Sequence, residues 1–389
     1  MATRGWGGSI ALAVGAAAGI AAAQIGVAYG LGIMAWTEPV EPAHESAWLA
    51  SLAWTTWIAA TSTVVGAVAA DRLSSEAPGA TPPRRRPGTG GGTPAGPMAT
   101  TAWRLVTALT AAVGGLLTVA LVAVPARAAH RPETLAPQMI AGGYAIVGVA
   151  IGILIAVAAL STRPVAVNVI MTTVYMWALA VASVIFGYAS HHGLSTAQLG
   201  VWRFGSGYFL LKTFSLPGAA LMMGVALLFG VLTAWPAVRR GENKVGAAIS
   251  GAVGPFLVAA AYFLAAPKLV SVQPSEQLSA YLIAPYAVIA GLAGSVLFVA
   301  LAAQREQRIA ERQQRLALPE PRPIGRASVP VPEESLPDDA YAPARAYDDD
   351  DSAPALVTSS GVAPLWPSQS EPSDETTQPV QGKGRSRPT

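Results

Sequence analysis

Between Arg104 and Arg163 the chain carries two uncharged apolar stretches, 105–124 and 139–160, on either side of a short polar link, 126–137. The link holds Arg127, His130, Arg131 and Glu133. Each stretch is about as long as a helix needs to cross bilayer hydrocarbon, roughly 20 residues. Backbone amides in lipid have no water to bond, so a segment of this kind has to be helical. The stretch therefore dictates a membrane hairpin of two helices with a basic residue at both open ends.

The same unit recurs along the chain. Eight spans are expected, near 9–36, 47–70, 103–125, 138–160, 165–189, 217–235, 245–267 and 278–303. Composition supports this: only 12% of residues are charged, against roughly a quarter in an average globular chain, and charges sit between the apolar runs rather than in them. No strand alternation competes. The first run is too long for the apolar core of a signal peptide, about 7–15 residues, so it is expected to remain as a span. The expected fold class is all-α: a polytopic membrane helical bundle of about eight transmembrane helices, arranged as four hairpins, with a disordered cytoplasmic C-terminal tail.

The organisation follows from composition shifts. Residues 1–72 form the first hairpin. Residues 73–100 form a flexible basic Pro/Gly linker centred on Arg84, Arg85 and Arg86, which suits topology or anionic lipid. Residues 101–304 carry six more helices. Residues 305–318 read as a polar helical extension with an i,i+4 pair, Glu311 and Arg315, ended by Pro319. Residues 319–389 hold twelve acids and six bases with many prolines, a composition that cannot bury enough apolar surface to order itself.

Arginine sets the expected orientation. With an even number of spans both ends share a side. The segments on that side hold fourteen Lys or Arg next to the spans, and the opposite links hold five. The positive-inside rule then puts both termini in the cytoplasm, at the plasma membrane. Arginine outnumbers lysine 21 to 4, the imprint of a GC-rich bacterial genome. Cysteine is absent, which excludes disulfides, thiolate chemistry and cysteine-ligated metal. The basic residues are dispersed over several loops, so no nucleic-acid partner is expected.

The third and seventh spans share a pattern. Arg104 followed by Ala112-Val113-Gly114 parallels Lys244 followed by Ala252-Val253-Gly254. Tyr144-Ala145 and Tyr286-Ala287 continue it in their partners, and Pro217 with Gly224 in the sixth span echoes Pro285 with Gly291 in the eighth. Copies of a hairpin that starts and ends on one side would be related by an axis along the membrane normal.

Candidate sites are few. No ionisable residue lies inside a span, which counts against a proton-coupled pump, a haem carrier or an intramembrane metalloprotease. A neutral-solute path remains open, lined by Gln24, Thr107, Thr110, Thr118, Thr172, Thr173 and Ser183. The plainer reading is that these residues bond their own or a neighbouring helix. Gly15, Gly19, Gly26 and Gly30, and Gly148 with Gly152, lie four apart and are expected to admit close helix packing. All four histidines, His44, His130, His191 and His192, fall in the links opposite the termini without a metal spacing, so no metal or cofactor is expected.

The link 190–214 offers the best outer binding surface. Ser195 and Gln198 have a capping-box spacing, so a short headgroup-level helix is expected from Thr196. Trp202, Arg203, Tyr208 and Lys212 combine aromatic and cationic groups that suit a lipid headgroup, a polyprenyl phosphate or a glycan. In the tail, Leu365 and Trp366 form an apolar island that suits docking to a cytoplasmic protein partner. The functional expectation is non-catalytic assembly or partner recruitment through the tail. The alternative is a translocator or channel for a small neutral solute or lipid. The lipid bilayer is the partner that the apolar spans require.

Overall fold

The computed structural model describes residues 6–38, 42–75, 97–131, 135–189, 197–201, 209–210, 214–269 and 275–317. Among these residues eight helical segments are long and apolar enough to cross a membrane. The helices are α1 (Trp6–Gly30), α2 (Pro42–Ser75), α3 (Pro97–Gly115), α4 (Leu117–Ala126), α5 (Pro137–Ser161), α6 (Arg163–Ala189), α7 (Leu216–Arg239), α8 (Lys244–Leu269) and α9 (Ser275–Ala317). The third span is α3 and α4 together, closed by a 3-10 turn at Arg127–Ala129. A two-residue antiparallel ladder, Phe209–Leu210 with Phe214–Ser215, precedes α7.

One end of the bundle carries Arg72, Arg104, Arg163, Arg239 and Lys244 at helix termini; it is called the basic face below. The other carries Glu45, His130 and Arg131, and is called the opposite face.

α2 is the central helix. It is buried along nearly its whole crossing, and its sequence explains how. Small residues alternate with Trp48, Trp54 and Trp57, each fully buried. Its hydroxyls turn back onto the helix: Ser51, Thr55, Thr61 and Thr63 each donate to the carbonyl four residues earlier at 2.8–2.9 Å. A hydroxyl satisfied in this way enters a dry interior without an orphaned proton.

The bundle is one packing scheme used twice. In the first half the four spans are α1, α2, α3–α4 and α5. In the second they are α6, α7, α8 and α9. Within each half every pair of spans packs together except the first with the fourth. Residue contacts repeat as well. Gly114 of α3 abuts Val14 and Ala18 of α1; Gly254 of α8 abuts Asn168 and Thr172 of α6, which stand 154 positions after Val14 and Ala18. Gly152 of α5 abuts Ala60 of α2, and Gly294 of α9 abuts Leu227 of α7. At Gly114 and Gly254 any side chain would overlap the facing helix, so glycine is required twice at the same place in the scheme.

The likeness of the third and seventh spans is therefore a likeness of equivalent helices, and so is that of the fourth and eighth. The echo of Pro217 and Gly224 in Pro285 and Gly291 is not: the sixth span occupies the place of the second. Each half has an even number of spans, so the two run in the same direction through the bilayer.

Candidate functional site

The interior polar groups converge on Gln24. Its amide nitrogen donates to Ser62 Oγ at 2.9 Å. Its amide oxygen accepts from the indole of Trp177 at 2.8 Å and from Thr61 Oγ1 at 3.3 Å. Trp177 in turn packs on Trp54, ring centroids 5.0 Å apart. One carboxamide thus joins α1, α2 and α6 inside the membrane, where lipid offers no competing partner.

The other hydroxyls of the supposed solute path divide. Thr107, Thr110 and Thr173 bond carbonyls of their own helices at 2.8–3.0 Å. Thr118, Thr172 and Ser183 are buried with no hydrogen-bond partner among the described residues. Asn168, fully buried in α6, accepts the backbone N–H of Gly254 at 2.8 Å. Sequence reading missed it. As the one carboxamide inside that span it could have been found, but it lies only five residues from the start of the helix.

Residues 197–201 differ from expectation. They form irregular backbone with a turn at 199–200, not a helix, and Ala197, Leu199 and Val201 are buried in the protein. Gly200 lies beside Met176 and Val258, each near the midpoint of its helix. Non-helical backbone at that depth survives only when protein satisfies it. The indole of Trp54 donates to the Ala197 carbonyl at 2.8 Å, and the Tyr262 hydroxyl donates to the Leu199 carbonyl. Gln198 donates to Ser46 Oγ at 3.3 Å. Gly200 has φ +69°, a left-handed turn that glycine adopts without strain. Leu199 and Val201, expected on a headgroup-level helix, are instead buried where this stretch runs between α2, α6 and α8.

At the opposite face the ion pair of Arg131 with Glu45 closes the first half. The Arg131 side chain is 2% exposed and that of Glu45 16%. The guanidinium also lies over Trp48, 4.7 Å from the ring centroid, and Trp48 meets Trp36 edge-on. His130 pairs with Glu38 at 3.2 Å on the surface. No group of three potential metal ligands occurs among the described residues.

At the basic face a cleft of about 300 Å³ opens where the ends of α2 and α5 meet the start of α6. Asp71, Arg72 and Arg163 line it over an apolar floor that includes Val68 and Ala166. Arg104 stands nearby, its guanidinium 3.4 Å from Ser161 Oγ.

Of the glycines expected to pack, Gly148 and Gly152 do so, against Thr56, Ala59 and Ala60 of α2. Gly15, Gly19, Gly26 and Gly30 do not. They sit on the outward side of α1, and a Cβ added at any of them would meet nothing within 4 Å. Trp202, Arg203, Tyr208 and Lys212 lie outside the described residues, as do His191, His192, Leu365 and Trp366.

Eight apolar helices with charges confined to their ends define an integral multi-pass membrane protein of the helical-bundle class. Compared with known protein families, characterised proteins and solved structures, the chain matches none.

Proposed function

We propose that the protein is a non-catalytic scaffold of the plasma membrane, with both ends in the cytoplasm, that recruits a soluble partner through its C-terminal tail. Support comes chiefly from α9. It runs for 43 residues without a break, roughly 65 Å at 1.5 Å per residue, about twice the hydrocarbon thickness. Residues 304–316 are all exposed and mostly polar, and Lys244 at the start of α8 reaches Glu306 at 2.7 Å. The helix thus leaves the bundle as a spacer of about 20 Å leading to residues 318–389. The arginine count argues that this spacer points into the cytoplasm. Gln24, the most polar group deep in a span, is committed to three protein partners, which argues against its lining an open path.

The test is proximity labelling from the C-terminus of the full chain, compared with a chain ending at Ala317. Partners lost on truncation support recruitment. An unchanged partner set would reject it. A second reading, translocation of a small neutral solute or lipid, draws on the buried non-helical segment 197–201 and on the unpaired hydroxyls of Thr172 and Ser183. Solute-dependent flux in proteoliposomes, abolished by Trp54→Phe, would favour it over the scaffold.

A further inference from the structure

The two halves meet through non-equivalent faces. The first half contributes the helix faces of α2 and α5, its second and fourth spans, together with the inward Gln24 side chain of α1; the second half contributes α6 and α8, its first and third. Across the seam the Tyr144 hydroxyl donates to the Leu264 carbonyl at 2.8 Å, and Trp54 packs on Trp177 with the rings tilted by 42°. A contact between unlike faces of two like units is heterologous, and it leaves one face of each kind unused. In this chain the unused faces are α7 with α9, equivalent to α2 with α5, and α1 with α3–α4, equivalent to α6 with α8.

Both unused faces are open at the counterparts of several seam residues. Tyr286 holds the place of Tyr144 and is 58% exposed. Val124 holds the place of Leu264 and is 61% exposed. On α6, Val165, Val169 and Met176 are buried; their equivalents on α1, Ala11, Gly15 and Ala22, face outward. On the other unused face Leu301 of α9 is 48% exposed, and Gly15, Gly19 and Gly26 line the open side of α1. Close approach over small residues is how helices associate in lipid.

We propose that a second copy of this chain occupies these faces, so that molecules associate head to tail, α7 and α9 of one against α1 and α3–α4 of the next, by repeating between chains the seam that joins the halves within one. This goes beyond the scaffold reading and does not depend on the tail.

The chain has no cysteine of its own, so introduced thiols report alone. Two differently tagged populations, Tyr286→Cys and Val124→Cys, are co-expressed and treated in the membrane with a bifunctional thiol reagent. A Tyr144→Cys/Leu264→Cys chain serves as the in-chain control. The expected result is a mixed-tag dimer formed at a rate within about threefold of the control, and none from either population alone. Gly15→Leu, added to the Val124→Cys chain, puts bulk on the row on α1 at a position where an added Cβ meets nothing within 4 Å, and should cut the product at least tenfold. Absence of mixed-tag product while the control links, product from single populations alone, or indifference to Gly15→Leu would each overturn the proposal and leave lipid as the occupant.

Discussion

The indole N–H of Trp177 donates to Oε1 of Gln24 across the seam between the two halves, 2.8 Å away. Gln24→Leu removes that acceptor and also the bonds to Ser62 and Thr61. The expected loss is about 1–2 kcal/mol, the scale of an interhelical bond in a membrane. Unfolding by SDS titration in mixed micelles measures it. Trp177→Phe on the Gln24→Leu background should cost less than on the parent, by about 0.5–2 kcal/mol. Fully additive losses would mean that the bond couples nothing.

Arg131 and Glu45 predict a larger effect. Both are largely withdrawn from water, so removing one partner strands a buried charge, at about 3–5 kcal/mol. Glu45→Gln or Arg131→Met should each lower the thermal midpoint in detergent by several degrees. The double variant should recover part of that loss. The surface pair Lys244–Glu306 is more than half exposed on each side, so Glu306→Ala should shift stability by less than about 1 kcal/mol.

Gly152 and Gly15 look alike in sequence and should behave differently. A side chain on Gly152 meets the backbone of Ala60, whereas one on Gly15 meets open space. Gly152→Val is expected to cost about 1–3 kcal/mol or more through overpacking and to give polydisperse material on size exclusion. Gly15→Val should leave the stability of the single chain within about 0.5 kcal/mol. Equal behaviour of the two would contradict the packing described for α2 and α5.

These glycines mark where sequence reading stops. Apolar length and charge placement gave eight spans, and the helices follow them to within a few residues at most ends, because hydrocarbon thickness fixes length directly. Which face of a span packs is another matter. A helix that is apolar all round carries no stripe to read, so the outward row of α1 and the inward pair of α5 could not be told apart. α2 has the lowest mean hydropathy of the spans and is the most buried; its hydroxyls bond its own carbonyls. Glu45 and Arg131 are 86 positions apart, and nothing local links them. The capping-box spacing of Ser195 and Gln198 favoured a helix through 197–201, but the N–H and O–H donors that Trp54 and Tyr262 bring to its carbonyls from distant helices outweighed that local preference.

Those partners make residues 197–201 testable. Trp54→Phe leaves the Ala197 carbonyl buried without a donor, at about 1–3 kcal/mol. Hydrogen exchange across 197–201 should accelerate in this variant and in Tyr262→Phe, while exchange in α9 stays unchanged. Unaltered exchange in the segment would show that the two aromatic donors do not hold it.

Labelling of single cysteines in intact cells tests the central claim, eight crossings with both ends in the cytoplasm, most directly. The native chain contributes no thiol background. His130→Cys lies at the opposite face and Ile309→Cys on the exposed extension of α9. An impermeant maleimide should label His130→Cys in intact cells and Ile309→Cys only after permeabilisation. Labelling of Ile309→Cys in intact cells, or the same accessibility at both positions, would contradict the account.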